Sequence, residues 1–172
     1  MSDTKRPSHY DERIDLEVAG ALLPKVLRWL KARGEDEPTE EDRQDILEQL
    51  ANACRFHDDG YEVAKQLDDR HMWESDSELV DLLDEVAFAR IRAHEKAVEA
   101  WVQQHGVAPK YSVGQRVAFK RQRWDKEKVT GEVTAVREKT AQYLVFCESL
   151  GHVREGCGTH GTYVAFEDAE AA

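Results

Sequence analysis

Residues 107–114 read Val-Ala-Pro-Lys-Tyr-Ser-Val-Gly, and across them the chain changes its period. Before this stretch, apolar side chains recur every three or four residues. After it they recur every second residue. The first spacing lays one face of a helix on a core, and the second does the same for a strand. Pro109 and Gly114 sit where neither element continues. The reading is an α+β protein: an acidic helical bundle of four or five helices, followed by a small antiparallel β-structure.

Working back from that stretch, residues 1–10 carry no periodicity and are expected to be a flexible amino terminus, and 11–106 form the helical domain. Ile14, Val18, Leu22, Val26, Leu27 and Leu30 fall at helical spacing, but Pro24 predicts a kink or two short helices. Thr39 with Asp42 marks a helix start, and Ile46, Leu47, Leu50, Ala51 and Cys54 form its apolar stripe. Asp58-Asp59-Gly60 predicts a turn before a short helix. Ser75 with Glu78 has the form of a capping box, and it predicts one long helix running to Gly106.

Working forward, residues 107–115 are expected to be a linker and 116–170 a small β-domain. RVAFK, KVTGEVTAVRE, AQYLVFC and TYVAFED read as strands, with a bulge or bend at Gly131. AQYLVFC is apolar on both faces and so needs cover on both. The succession VGQRVAFK, KVTGEVTAV, AQYLVF, GTYVAFEDAE resembles a Src-homology-3-like barrel of the Tudor or KOW kind. That resemblance covers about a third of the chain. It implies a closed small barrel, and a ligand that is a nucleic acid, a peptide or another protein. The helical stretch DDGYEVAKQLDDRHMWESDSELVDLLDE in turn resembles small accessory proteins of phages and mobile elements.

Charge divides the chain at the same place. The 172 residues carry a net −11, and residues 1–108 hold 14 basic and 26 acidic side chains against 10 and 9 in residues 109–172. A chain of this balance is not expected to wrap nucleic acid or lie on an anionic membrane as a whole. No apolar run approaches the roughly 20 residues of a spanning helix, and the amino terminus lacks a signal-peptide core. With three cysteines, a reducing cytoplasm is the expectation.

Chemistry-bearing motifs are few. Gly156-Cys157-Gly158-Thr159-His160-Gly161 matches the dinucleotide fingerprint in letters, but no room remains after it for the helix and returning strand that such a site requires. Cys147, His152, Cys157 and His160 are spaced C-x4-H-x4-C-x2-H, a donor set that could close a tetrahedral zinc site. The competing reading is a strand cysteine followed by loop residues, and no metal or other cofactor is taken as the expectation. Nucleophile elbow, phosphate loop and zincin motifs are all missing, so a non-catalytic protein is expected.

Two surfaces remain. Carboxylates crowd the helical half: Glu35, Asp36, Glu37, Glu40, Glu41, Asp42, Asp45 and Glu48, then Asp68, Asp69, Glu74, Asp76, Glu78, Asp81, Asp84 and Glu85. From these, Glu40, Glu41, Asp45, Glu48, Asp69, Glu78, Asp81, Asp84 and Glu85 are expected to form an interaction face for a basic host protein, in the manner of a nucleic-acid-mimic inhibitor. The alternative is a nucleic-acid contact made by Lys120, Arg121, Arg123, Trp124, Lys126 and Lys128, where basic groups surround a tryptophan able to stack on a base.

Overall fold

A computed structural model of the chain describes residues 5–122, 124–151, 154–155, 158–159 and 161–172. The chain divides into two units, residues 5–97 and 98–172.

The first unit contains α1 (Glu12–Ala32), α2 (Glu40–Cys54), α3 (Gly60–His71), α4 (Ser77–Leu83) and the first part of α5 (Val86–His105). Asp11 caps α1, its carboxylate accepting the Arg13 N–H. From there Ile14, Val18, Leu22, Val26 and Trp29 deliver one stripe into the core. Pro24 lies inside this helix without dividing it into two short helices, one of the two outcomes that the sequence predicts. Leu22 and Val26, on either side of it, are both fully buried, and that burial outweighs the amide hydrogen bond a proline cannot make.

Helix α2 opens with a reciprocal capping box between Thr39 and Asp42, as the sequence indicates. Asp59 caps α3 through the Tyr61 and Glu62 amides, and Met72 ends that helix in the left-handed region at φ 58°. The start of α4 differs from expectation. Asp76, not Ser75, is the cap and accepts from the Leu79 amide. The Ser75 hydroxyl turns instead to Asp68 at 2.7 Å. The long helix expected from Ser75 to Gly106 is also interrupted: α4 ends at Leu83, Asp84 accepts the Gly60 N–H at 3.0 Å, and α5 begins afresh at Val86.

One ionic cluster lies inside this unit. Arg90 donates to Asp15 at 2.6 Å, to Asp58 at 2.8 Å, to the His9 carbonyl at 3.1 Å and to the Cys54 carbonyl. The segment before α1 is drawn in with it: the His9 ring stacks on His94 at 3.6 Å, and His94 Nε2 bonds the Pro7 carbonyl at 3.2 Å. Burial pushes both imidazoles below the ordinary 6.5. For His9 the Asp58 charge opposes that shift; for His94 the His9 charge adds to it.

The second unit starts inside α5, not after residue 106. Its strands are β1 (Arg116–Phe119), β2 (Val129–Arg137), β3 (Gln142–Phe146), β4 (Arg154–Glu155), β5 (Gly158–Thr159), β6 (Thr162–Ala165) and β7 (Glu170–Ala171). Five of them form one antiparallel sheet in the order β6-β3-β2-β1-β7, and β4 pairs with β5 separately. The sheet is open, since β6 and β7 lie at its opposite ends; the closed barrel implied by the resemblance is not formed among the described residues.

Val117, Phe119, Val133, Tyr143, Val145, Val164 and Phe166 make the core of this sheet, with Trp101, Val102, Val107 and Tyr111 packed on it. The expected linker is therefore largely tied down. The Tyr143 hydroxyl accepts the Lys110 and Tyr111 amides at 2.8 and 3.1 Å, and the Gly114 N–H reaches the Val133 carbonyl at 2.8 Å. The irregularity in β2 falls between Val133 and Ala135 rather than at Gly131. Gly131 answers a different need: a Cβ there would stand 2.5 Å from the Phe146 carbonyl oxygen and from Val145 Cγ1.

Candidate functional site

A concavity of the helical unit lies where the end of α1, the connection to α2, α2 itself and the α3–α4 connection meet. It is a groove of about 720 Å³. Its floor holds Trp29 and Trp73, with rings 6.2 Å apart and 5° from parallel. Each indole N–H is satisfied: Trp29 donates to Asp76 at 3.1 Å, and Trp73 donates to Gln49 at 2.6 Å. That anchoring fixes both ring planes.

Six carboxylates line the groove (Glu35, Asp36, Glu37, Asp42, Asp45 and Glu74), against Arg33 and His71. The Arg33 guanidinium lies over Trp29, 4.7 Å from the ring centroid, and pairs with Asp76 at 2.9 Å and with Glu74 at 3.8 Å. Asp76 thereby receives the Leu79 amide, the Trp29 indole and Arg33, and it is held below the usual carboxylate range, chiefly by the amide. Asp42 is lowered too, by the hydroxyl and amide of Thr39.

The nine acids expected to form one face are all exposed, and they are spread over α2, α3, α4 and the connection from α4 to α5. Asp45 lines the groove and accepts from Gln49 at 2.7 Å. Glu40 and Glu41 occupy the first turn of α2, where negative charge favours the helix dipole. Glu48, paired with Gln44 at 3.0 Å, borders a separate depression with Glu12 and Arg55. Asp69 lies on α3, and Glu78 and Asp81 lie on α4. Asp84 serves Gly60, and Glu85 is paired with Lys25. Trp29, Arg33, Gln49 and Trp73 were not among the residues the charge pattern picks out. The available signal was Trp29 and Trp73, two of the three tryptophans in the strongly acidic half of the chain.

In the β-unit, Lys120, Arg121, Lys126 and Lys128 are exposed on the connection between β1 and β2, and Trp124 is 77% exposed. Asp125 closes a turn there, its carboxylate accepting the Gln122 amide at 3.0 Å, and Lys128 is paired with Glu170. Arg123 lies outside the described residues. So do His152, Cys157 and His160 of the zinc candidate. Cys147, its fourth member, is buried, with its sulfur 3.2 Å from the Thr130 carbonyl and 3.1 Å from Ser149 Oγ. Among the described residues no cluster of His, Cys, Asp and Glu has the form of a metal site.

Comparison with protein-family models, curated proteins and solved structures finds no match to this chain. Among the described residues no helix is long and apolar enough to cross a membrane.

Proposed function

We propose that this chain is a non-catalytic interaction or regulatory protein of the phage or mobile-element accessory kind, acting in the cytoplasm by binding a basic surface of a host protein. One observation carries the reading: six carboxylates surround a rigid tryptophan floor in a single groove. Aromatic anchors inside a charged rim are the usual makings of a protein-binding hot spot. The surrounding helical acids steer a basic partner towards it, and that steering weakens as salt screens charge over roughly 8–10 Å. The same carboxylates underlie the nucleic-acid-mimic form of the proposal, in which the occupied cleft belongs to a nucleic-acid-handling protein.

A second reading rests on Trp124, which is 77% exposed on the connection that also carries the exposed Lys120, Arg121, Lys126 and Lys128. It makes the β-unit a nucleic-acid contact. The meander β1-β2-β3-β6, with β7 returning through a single 3-10 turn (Phe166–Asp168) to pair with β1, supports an opened Src-homology-3-like class for that unit. Binding to an oligolysine peptide and to a short DNA duplex, each followed against salt, separates the two. Under the first reading the peptide binds, and Glu40→Lys, Glu41→Lys and Asp45→Lys together weaken it mainly through the on-rate. Duplex binding abolished by Arg121→Glu with Arg123→Glu, alongside indifference to the acidic reversals, overturns it in favour of the second.

A further inference from the structure

The acidic groove has a cation seated in it already, and the way it sits indicates the ligand. Arg33 lays its guanidinium over the Trp29 ring at 4.7 Å and directs Nη1 to Asp76 at 2.9 Å, with Glu74 beyond at 3.8 Å. A flat aromatic wall with carboxylates at its edge is matched by a planar, forked cation and poorly matched by an ammonium, which is a compact and strongly hydrated point charge. The two tryptophan rings are stacked nearly parallel, and parallel planes lack the crossed rings that would wrap an alkylated ammonium.

We infer that the groove is a seat for an arginine side chain of a basic polypeptide, and that Arg33 is its resident occupant, exchanged for the partner's arginine on binding. This rests on the acidic-surface reading above and narrows it to a residue type. Exchange is cheap, because the Arg33 side chain and its Asp76 partner are both partly exposed and such pairs hold weakly. The groove also has what a neighbouring length of chain needs. Glu35, Asp36 and Asp45 supply carboxylates for the cations that flank the arginine, and Met72, 88% exposed at the rim, offers an adaptable apolar contact for its aliphatic stem.

The test uses the full chain, oligoarginine and oligolysine peptides of equal length, and the indole N–H resonances of Trp29 and Trp73. Oligoarginine should bind more tightly than oligolysine and shift both resonances. Arg33→Lys keeps the charge but loses the flat fork, so it should tighten oligoarginine several-fold while leaving oligolysine nearly unchanged. Equal binding of the two peptides, unmoved indole resonances, or an Arg33→Lys variant with unchanged or weaker oligoarginine binding would each overturn the arginine seat while leaving the broader acidic-surface reading standing. Binding of a DNA duplex with neither peptide bound would bring down both.

Discussion

Arg90 and Asp15 face each other inside the helical unit at 2.6 Å, both buried. The pair bridges α1 and α5, and Arg90 divides its remaining donors between Asp58 and two carbonyls. Removing one partner leaves the other charge buried and uncompensated, at a cost of about 3–5 kcal/mol. Arg90→Ala should therefore lower the denaturation midpoint far more than Lys96→Ala, which removes an exposed partner of Glu17. Chemical denaturation of the two variants side by side checks this, and similar losses would refute it.

The stacked imidazoles give the fold a pH dependence whose sign can be worked out. Burial lowers the pKa of His9 and His94 from 6.5, so the unfolded chain binds more protons than the native one as pH falls. Their contribution to stability is complete above about pH 6.5 and is lost as pH falls through the lowered native values. The charges facing the pair are Asp58, Arg90 and Arg6. His94→Phe keeps a ring against His9 and removes one titration. Thermal midpoints between mildly alkaline and mildly acidic buffer should fall less steeply in that variant, and parallel curves would contradict the assignment.

Gly60 and Asp84 hold two helices in contact. A Cβ at residue 60 would sit 2.5 Å from both Asp84 Oδ1 and the Val80 carbonyl. Gly60→Ala should destabilise by about 1–3 kcal/mol, as overpacking does. Asp84→Lys should lose about 0.5–2 kcal/mol with the Gly60 amide bond, whereas Asp81→Lys should cost little. Thermal shift assays on the three variants would decide it; an unaffected Asp84→Lys protein would show that the contact is dispensable.

Tyr143 offers a milder substitution. Its buried hydroxyl is the acceptor for two successive amides, so Tyr143→Phe leaves the Lys110 and Tyr111 N–H groups without their partner at a cost of about 1–3 kcal/mol. Hydrogen exchange at those two amides should accelerate in the variant while the β2–β3 ladder stays protected.

Much of the fold was legible locally. The switch of period at 107–114 locates the helical and β parts, and the Thr39–Asp42 spacing identifies the start of α2. What escaped depended on distant partners. Ser75 and Glu78 have the spacing of a capping box, but Asp68, seven residues away, takes the serine, and Asp76 finds Trp29 and Arg33 on another helix. Pro24 is a local breaker overruled by the burial around it. The groove escaped for the same reason: its floor joins positions 29, 49 and 73, which only the packing of α1, α2 and the α3–α4 connection brings together. The acidic composition was visible, but which carboxylates share a concavity was not.

Asp76 also sets a limit on how this sequence can drift. A single carboxylate caps the start of α4, orients the Trp29 indole and holds Arg33, so no neutral or longer side chain serves all three partners together. In the α1–α2 connection Glu37 has its own partner in Arg43 at 3.3 Å, whereas Glu35 and Asp36 contribute through the sign of their charge. Natural relatives, when aligned, should therefore keep aspartate at position 76 together with tryptophan at 29, while positions 35 and 36 vary freely between aspartate and glutamate.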